Sequence, residues 1–258
     1  MLTSNQITYI GHATLRLTVD GMSLLTDPLL RNRILHLTRR SVMVEKSLYQ
    51  DIDIVIISHV HGDHFDIPSL RLIDRKTTIF APKGTKGRLA RQGYTKIFEM
   101  EPGDQHGIGS LTIETTQAQH GSRFQHSKSP QGSLGYLIKG SQTIYFPGDT
   151  DIFPGMADLS NGLDIALLPV WGWGPTLGDG HMNPKRAAEA LTLLKPRIAI
   201  PIHWGTFYPI GLGWLRSHLL LDPPHIFQQE AAKLMPEVEV HILTPGSSFR
   251  IPKIEIRD

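Results

Sequence analysis

Short runs in which apolar and polar residues alternate fill the start of the chain, at residues 7–10, 14–19 and 23–26. A period of two puts one face of a strand on a core, and Asp20-Gly21 between the last two runs suits a tight hairpin turn. Residues 29–50 break the pattern, because Arg31, Arg33, Arg39 and Arg40 mix with Ile34, Leu35, Leu37 and Val42. That mixture predicts a solvated loop or a short helix. Ile54-Val55-Ile56-Ile57 is uninterrupted and apolar, which predicts a buried strand over 53–58.

Strand and helix signals then take turns. Helices are predicted over 68–74 and 85–92, with strands over 77–81, 96–100, 111–118, 134–139, 142–147 and 164–169. Asn183-Pro184 reads as an N-cap with proline in the first turn of a helix that runs to about Leu194. A strand over 197–202, a helix over 224–235 and strands over 238–243 and 247–251 close the chain. The alternation predicts a layered α/β arrangement. There is no repeat and no linker, so residues 1–258 are expected to form a single domain.

Composition narrows the function classes. Lys+Arg 26 against Asp+Glu 24 leaves a formal charge of +2, with no basic tract to suggest nucleic-acid binding. No apolar stretch approaches the roughly 20 residues that span a bilayer, and Met1 to Gln6 lacks the basic and apolar regions of a signal peptide. Stable membrane insertion is therefore not expected, and a cytoplasmic location is. The chain has no cysteine and 13 histidines, so any metal must be held by nitrogen and oxygen.

The segment Ser58-His59-Val60-His61-Gly62-Asp63-His64-Phe65-Asp66 carries the chemistry. Three imidazoles and a carboxylate follow a buried strand within six residues, and Gly62 lets the backbone turn tightly enough to aim them at one point. These are ligand types that suit zinc, iron or manganese, and water bound at such an ion becomes a nucleophile near neutral pH. His120, Asp149 and His203 each sit just past a predicted strand, where side chains from different strands can meet at one sheet edge. With His59, His61, Asp63 and His64 they complete a set of seven.

The series His-x-His-x-Asp-His, lone His, Gly-Asp and final His resembles the metallo-β-lactamase-fold hydrolase superfamily over nearly the whole chain. Tyr9 to Thr14, Leu25 to Pro28, His181 to Pro184 and His203 to Thr206 resemble the branch that holds N-acylphosphatidylethanolamine phospholipase D and the ascorbate-6-phosphate lactonase-like proteins. The resemblance implies a four-layer αββα sandwich of two mixed β-sheets flanked by helices. It also implies two divalent metal ions, zinc first with manganese or iron as alternatives. One would be held by His59, His61 and His120, the other by Asp63, His64 and His203, with Asp149 bridging. Such a centre with a bridging hydroxide carries a net positive charge, which favours an anionic small-molecule substrate. The lack of cysteine argues against the antibiotic-hydrolysing members, which commonly place one on the second metal.

The same resemblance implies that Asp27 orients a ligating histidine and that His181 lies beside the metals, where it would stabilise a developing oxyanion or leaving group. His12 either approaches the site as a second-layer residue or is a satisfied structural histidine. Trp171 and Trp173 precede His181, and Phe207 and Tyr208 follow His203; these rings are expected either to wall an apolar pocket or to be ordinary core. Arg123, in the loop after His120, is the first cation expected to meet an anionic substrate. The resulting expectation is a hydrolase that cleaves an ester, phosphodiester or lactone bond, with Asp63 orienting the nucleophile. A di-iron redox protein and a metal-stabilised binding protein are the alternatives, and the aromatic loops are equally compatible with a homo-oligomer interface.

Overall fold

The computed structural model describes residues 4–120, 132–172, 177–178, 180–211 and 218–252. The first half of the chain forms β1 (Gln6–Gly11), β2 (Thr14–Val19), β3 (Met22–Thr26), β4 (Arg33–Ile34), β5 (Leu37–Arg39), β6 (Ile54–Ile56), β7 (Thr78–Pro82) and β8 (Ile97–Met100), with helices α1 (Ile67–Leu70) and α2 (Lys86–Ala90). The second half adds β9 (Gln105–Ile108), β10 (Leu111–Gln117), β11 (Leu134–Lys139), β12 (Thr143–Phe146), β13 (Ile165–Pro169), β14 (Ile198–Ile202), β15 (Phe207–Pro209), β16 (Glu239–Val240) and β17 (Ser248–Arg250). Its helices are α3 (Pro184–Leu194), α4 (His218–Leu221) and α5 (Pro223–Leu234).

Two seven-stranded sheets result, in the orders β17-β1-β2-β3-β6-β7-β8 and β16-β14-β13-β12-β11-β10-β9. Both are mixed. In the first, β1, β2 and β3 pair antiparallel while β3, β6, β7 and β8 pair parallel. In the second, β9 to β12 pair antiparallel, and β12, β13, β14 and β16 parallel.

The layering follows from strand alternation. Leu24, Ile54, Ile56 and Phe80 point into a core shared with Ile113, Tyr136, Tyr145 and Ile165 of the second sheet. Their neighbours Leu25, Val55, Ile57, Ile79 and Ala81 point the other way, onto Leu70 and Leu89 of α1 and α2. A strand buried on both faces has no polar face to show, which is why 54–57 is apolar without interruption. On the far side, Ala187, Ala188, Leu191 and Leu194 of α3 and Phe227 and Ala231 of α5 join the main core. The order is therefore helix, sheet, sheet, helix, as expected.

The turn at Asp20-Gly21 has φ values of 48° and 82°, the positive pair that a two-residue hairpin requires. The expected loop or short helix over 29–50 is mainly irregular, but it also carries two short strands not expected there: β4 and β5 pair with each other, and β5 with β15, in a third, three-stranded sheet. A short 3-10 helix at Lys46–Leu48 is the helical part. The helix expected over 68–74 stops at Leu70, because Leu72 and Ile73 turn their N–H groups to the carbonyls three residues back, on Ser69 and Leu70. Among the described residues no helix is long and apolar enough to cross a membrane.

Candidate metal centre

The loop leaving β6 is held in shape before any ligand is considered. The N–H groups of His64 and Phe65 both reach the carbonyl of His61, at 3.0 and 2.8 Å. Asp66 then caps α1 by accepting from the Ser69 N–H at 3.0 Å, while Arg31 donates two bonds to its carboxylate at 2.9 and 2.6 Å. From the second sheet, His120 follows β10, Asp149 follows β12 and His203 follows β14. The bridge between Gln119 and Asp151 joins the first two of these strand ends.

Five histidines are oriented by the same device. Each has its Nδ1 tied to an outer oxygen: His59 to Ser58 Oγ at 2.9 Å, His64 to Asp27 Oδ2 at 2.7 Å, His120 to the Gly180 carbonyl at 3.2 Å, His181 to the Gly178 carbonyl at 3.2 Å, and His203 to the Trp171 carbonyl at 2.6 Å. A carbonyl or carboxylate accepts, and the Ser58 hydroxyl already donates to Asp27, so Nδ1 is the donor in each bond and Nε2 faces the centre. Asp27, fully buried, collects most of this scaffold. It accepts from the Ser58 N–H at 2.7 Å and the Ser58 hydroxyl at 2.5 Å as well as from His64.

The inward atoms include two groups that share no residue. His59, His61 and His120 bring one ligand atom each to within 4.8 Å of one another, and so do His12, Asp63, His64 and His203. His61 turns Nδ1 rather than Nε2 inward, 3.0 Å from His59 Nε2 and 3.1 Å from His120 Nε2. Asp149 sits between the groups, with Oδ2 3.3 Å from both His64 Nε2 and His181 Nε2, and Oδ1 3.2 Å from His203 Nε2.

These spacings fit a metal. Two nitrogens bound to one tetrahedral zinc at about 2.1 Å lie about 3.4 Å apart, close to what the unprotonated faces of these rings adopt. The Asp149 Oδ1 atom is buried and, despite His203 nearby, has no donor in hydrogen-bonding geometry. A buried carboxylate oxygen without a donor is expensive unless a cation faces it. The donor set is all nitrogen and oxygen, which suits zinc, iron or manganese.

The electrostatics agree. Burial pushes His59 well below the ordinary imidazole value, and pushes His203 down to about 3. Burial also lowers His120. Burial works against ionised Asp149, yet His203 and His64 hold its carboxyl well below the usual range; Asp63 is likewise kept ionised against burial by His64 and His12. Burial opposes a charge on His64 too, but Asp149 and Asp63 outweigh it and raise the imidazole well above its ordinary value. Without an ion, one histidine thus carries the positive charge that the carboxylates demand.

Backbone strain gathers here as well. His12, Asp27 and His203 have φ of 58°, 32° and 63°, in the left-handed region that costs a residue with a Cβ about 1–3 kcal/mol. Gly148 has φ 61°, and a Cβ on it would lie 2.3 Å from Ser58 Cβ. It lets the Asp149 turn close against the strand-end serine.

The remaining sequence candidates divide. His12 is buried, with Nε2 3.1 Å from Asp63 Oδ2 and its ring 3.8 Å from that of His203. Trp171 touches the centre through its carbonyl rather than its ring; the ring lines a mainly apolar cleft of about 290 Å³ with Pro184, Pro223 and Ile226. Of the two alternatives for Phe207 and Tyr208, burial favours the core: both are buried, and Phe207 packs on Leu29, Ile34 and Leu37 with the Arg39 guanidinium over its ring. Arg123 and Trp173 lie outside the described residues. Ser58, Thr206 and the carbonyls of Trp171 and Gly180 carry no role in the sequence reading. Ser58 and Thr206 stood inside the quoted motifs, but a hydroxyl beside a ligand has no spacing signature, and backbone acceptors have none at all.

The Beta-lactamase superfamily domain model matches residues 23–204. A UPF0173 metal-dependent hydrolase from Methanopyrus kandleri is 31% identical over 252 residues, covering 95% of this chain and 99% of that protein. Among solved structures, Igni18, a metallo hydrolase from Ignicoccus hospitalis, aligns with a TM-score of 0.73 at 23% identity, covering 97% of this chain and 100% of the other. CmlA, a diiron beta-hydroxylase from Streptomyces venezuelae, aligns over 97% of this chain and 55% of its own at TM-score 0.72 and 18% identity. The chain belongs to the beta-lactamase superfamily and, within it, to the UPF0173 metal-dependent hydrolases.

Proposed function

We propose that the chain is a single-domain, dinuclear metal-dependent hydrolase acting on an ester, phosphodiester or lactone bond in an anionic small molecule, with zinc as the first choice of metal and the cytoplasm as its location. The observation that supports this most is the convergence of imidazole nitrogens, each oriented by an outer acceptor, on two ionised carboxylates. His59, His61 and His120 would hold one ion and Asp63, His64 and His203 the other, with Asp149 between them. Bound divalent ions supply water ionised near neutral pH and an electrophile for the carbonyl or phosphoryl oxygen.

The chain's own residues do the rest. Asp63 is more exposed than Asp149, with 22% of its side chain accessible against 4%, so its carboxylate is the one placed to orient water and accept its proton. His181 is half-buried beside Asp149; its Nδ1–H is spent on the Gly178 carbonyl, so with a second proton on Nε2 it would donate to a substrate oxygen that develops charge there. Asp27 and Ser58 keep His59 and His64 in one tautomer throughout.

Zinc-loaded protein should hydrolyse at least one member of a panel of phosphodiesters, lactones and esters. Asp63→Asn and His203→Ala should each lower turnover by at least about 100-fold while far-UV circular dichroism stays unchanged. Full turnover in both variants with metal stripped would sink the assignment. The all nitrogen and oxygen donor set also suits iron, so metal analysis with an optical spectrum separates the di-iron redox reading from the hydrolytic one.

A further inference from the structure

His12 is placed differently from every other histidine of the centre. His59, His64, His120, His181 and His203 are aimed through an outer Nδ1 bond, whereas His12 is gripped by its backbone: its N–H donates to Thr206 Oγ1 at 2.7 Å, and its carbonyl accepts the His203 N–H at 2.8 Å. Its ring is wedged between the His203 ring, at 3.8 Å, and the edge of Phe207, at 5.9 Å. The side chain therefore has one direction to point, and Nε2 ends 3.1 Å from Asp63 Oδ2. A carboxylate oxygen accepts, so in this contact Nε2 is the donor and is turned to Asp63 rather than to an ion.

We propose that His12 is a positioning residue which, gripped by Thr206 and His203, holds the Asp63 carboxylate in the orientation that binds the second metal. This rests on the metal assignment above. The consequence is specific. His12 lies between β1 and β2 of the first sheet, while His203 and Thr206 follow β14 of the second, so this half of the centre is assembled only when the two sheets are in register. The half built on His59, His61 and His120 has no contact with His12 in hydrogen-bonding range among the described residues, so only one ion should depend on it.

The test is a Zn²⁺ competition titration against a chromophoric chelator on metal-stripped protein, comparing wild type, His12→Phe, His12→Gln, Asp63→Asn and the His12→Phe/Asp63→Asn double variant. Wild type should take up two equivalents. His12→Phe should weaken one of them by about 10–100-fold and leave the other unchanged, the usual size of an effect exerted through a ligand's hydrogen-bond partner. His12→Gln, whose amide can still donate to the carboxylate, should recover most of the loss. In the Asp63→Asn background His12→Phe should cost nothing further. Thermal melting accompanies each variant, and if His12→Phe does not fold, Thr206→Val, which removes the acceptor of the His12 N–H, takes its place with the same expected loss. Two equivalents bound by His12→Phe at wild-type affinity would overturn the proposal, and so would a loss that persists undiminished on Asp63→Asn, since His12 would then act as a ligand itself. Wild type that binds no zinc would instead overturn the metal assignment beneath it.

Discussion

At the scale of single residues, the centre depends on positions where an ordinary side chain does not fit. Gly148 combines φ 61° with a hypothetical Cβ 2.3 Å from Ser58 Cβ and 2.6 Å from Ser58 Oγ. Strain and steric clash act together there, because Ser58 cannot yield: its N–H and hydroxyl both bond Asp27, and its hydroxyl meets His59. Gly148→Ala should therefore destabilise the protein by about 1–3 kcal/mol from the backbone conformation alone, with the clash added. It should also push Asp149 away from His64 and His203. Thermal melting and metal analysis read the two effects separately, and wild-type values of both would mean that the Asp149 turn relaxes freely. The Gly-Asp pair was legible as a motif, yet the reason for its glycine was not, because Ser58 is ninety residues distant in sequence and the contact exists only across the two sheets.

Among the elements, legibility tracked the range of the forces involved. Strands buried on both faces, such as β6 and β7, announced themselves as apolar runs, and α3 announced its start through Asn183, whose side chain accepts from the Arg186 N–H at 2.9 Å. The small sheet did not, because β4 and β5 are two and three residues long and are tied to their surroundings by Arg39 of β5, which donates to the carbonyls of Leu29, Ile10 and Arg31. No local period encodes such a contact. β9 was missed for the same reason: Gln105 to Ile108 lacks any alternation and exists by pairing with β10. The β2–β3 turn offers a prediction at this scale. Asp20 accepts from the Ser141 N–H at 2.6 Å and its hydroxyl at 2.5 Å, stitching that turn to the β11–β12 turn of the other sheet. Burial opposes the charge, but these bonds and Asn5 hold the carboxyl below its ordinary value. A carboxyl lowered on folding stabilises above its unfolded value near pH 4, and that contribution fades as pH falls through the lower, folded value. Asp20→Asn should cost about 1 kcal/mol at neutral pH and flatten the decline of melting temperature below about pH 4. An acid limb parallel to wild type would show that the turn contributes nothing to the pH dependence.

For the whole molecule, the sandwich is fastened at its two ends by different means. At the end just described the fastening is a set of hydrogen bonds between turns, Asp20 and Asn5 on one sheet, Ser141 and Gln142 on the other. At the opposite end stand His59 to His64 from the first sheet and His120, Asp149 and His203 from the second, with imidazole nitrogens and carboxylate oxygens turned toward one another. An ion held there would join donors from both sheets, so on the proposed function metal binding would be coupled to sheet closure at that end. An ion present at a thousand times its dissociation constant would add about 4 kcal/mol of stability. Chelation should therefore lower the melting temperature with the logarithm of the free metal that remains, and should loosen the two ends unevenly. Hydrogen exchange is expected to accelerate at 58–66, 148–150 and 203–206 while residues 17–22 and 139–143 keep their protection. Equal acceleration at both ends would mean that the ions stabilise the fold as a whole, and no acceleration would mean that the strand-end histidines hold their geometry without them. Only the uneven pattern fits a sandwich in which the chemistry itself is the clasp.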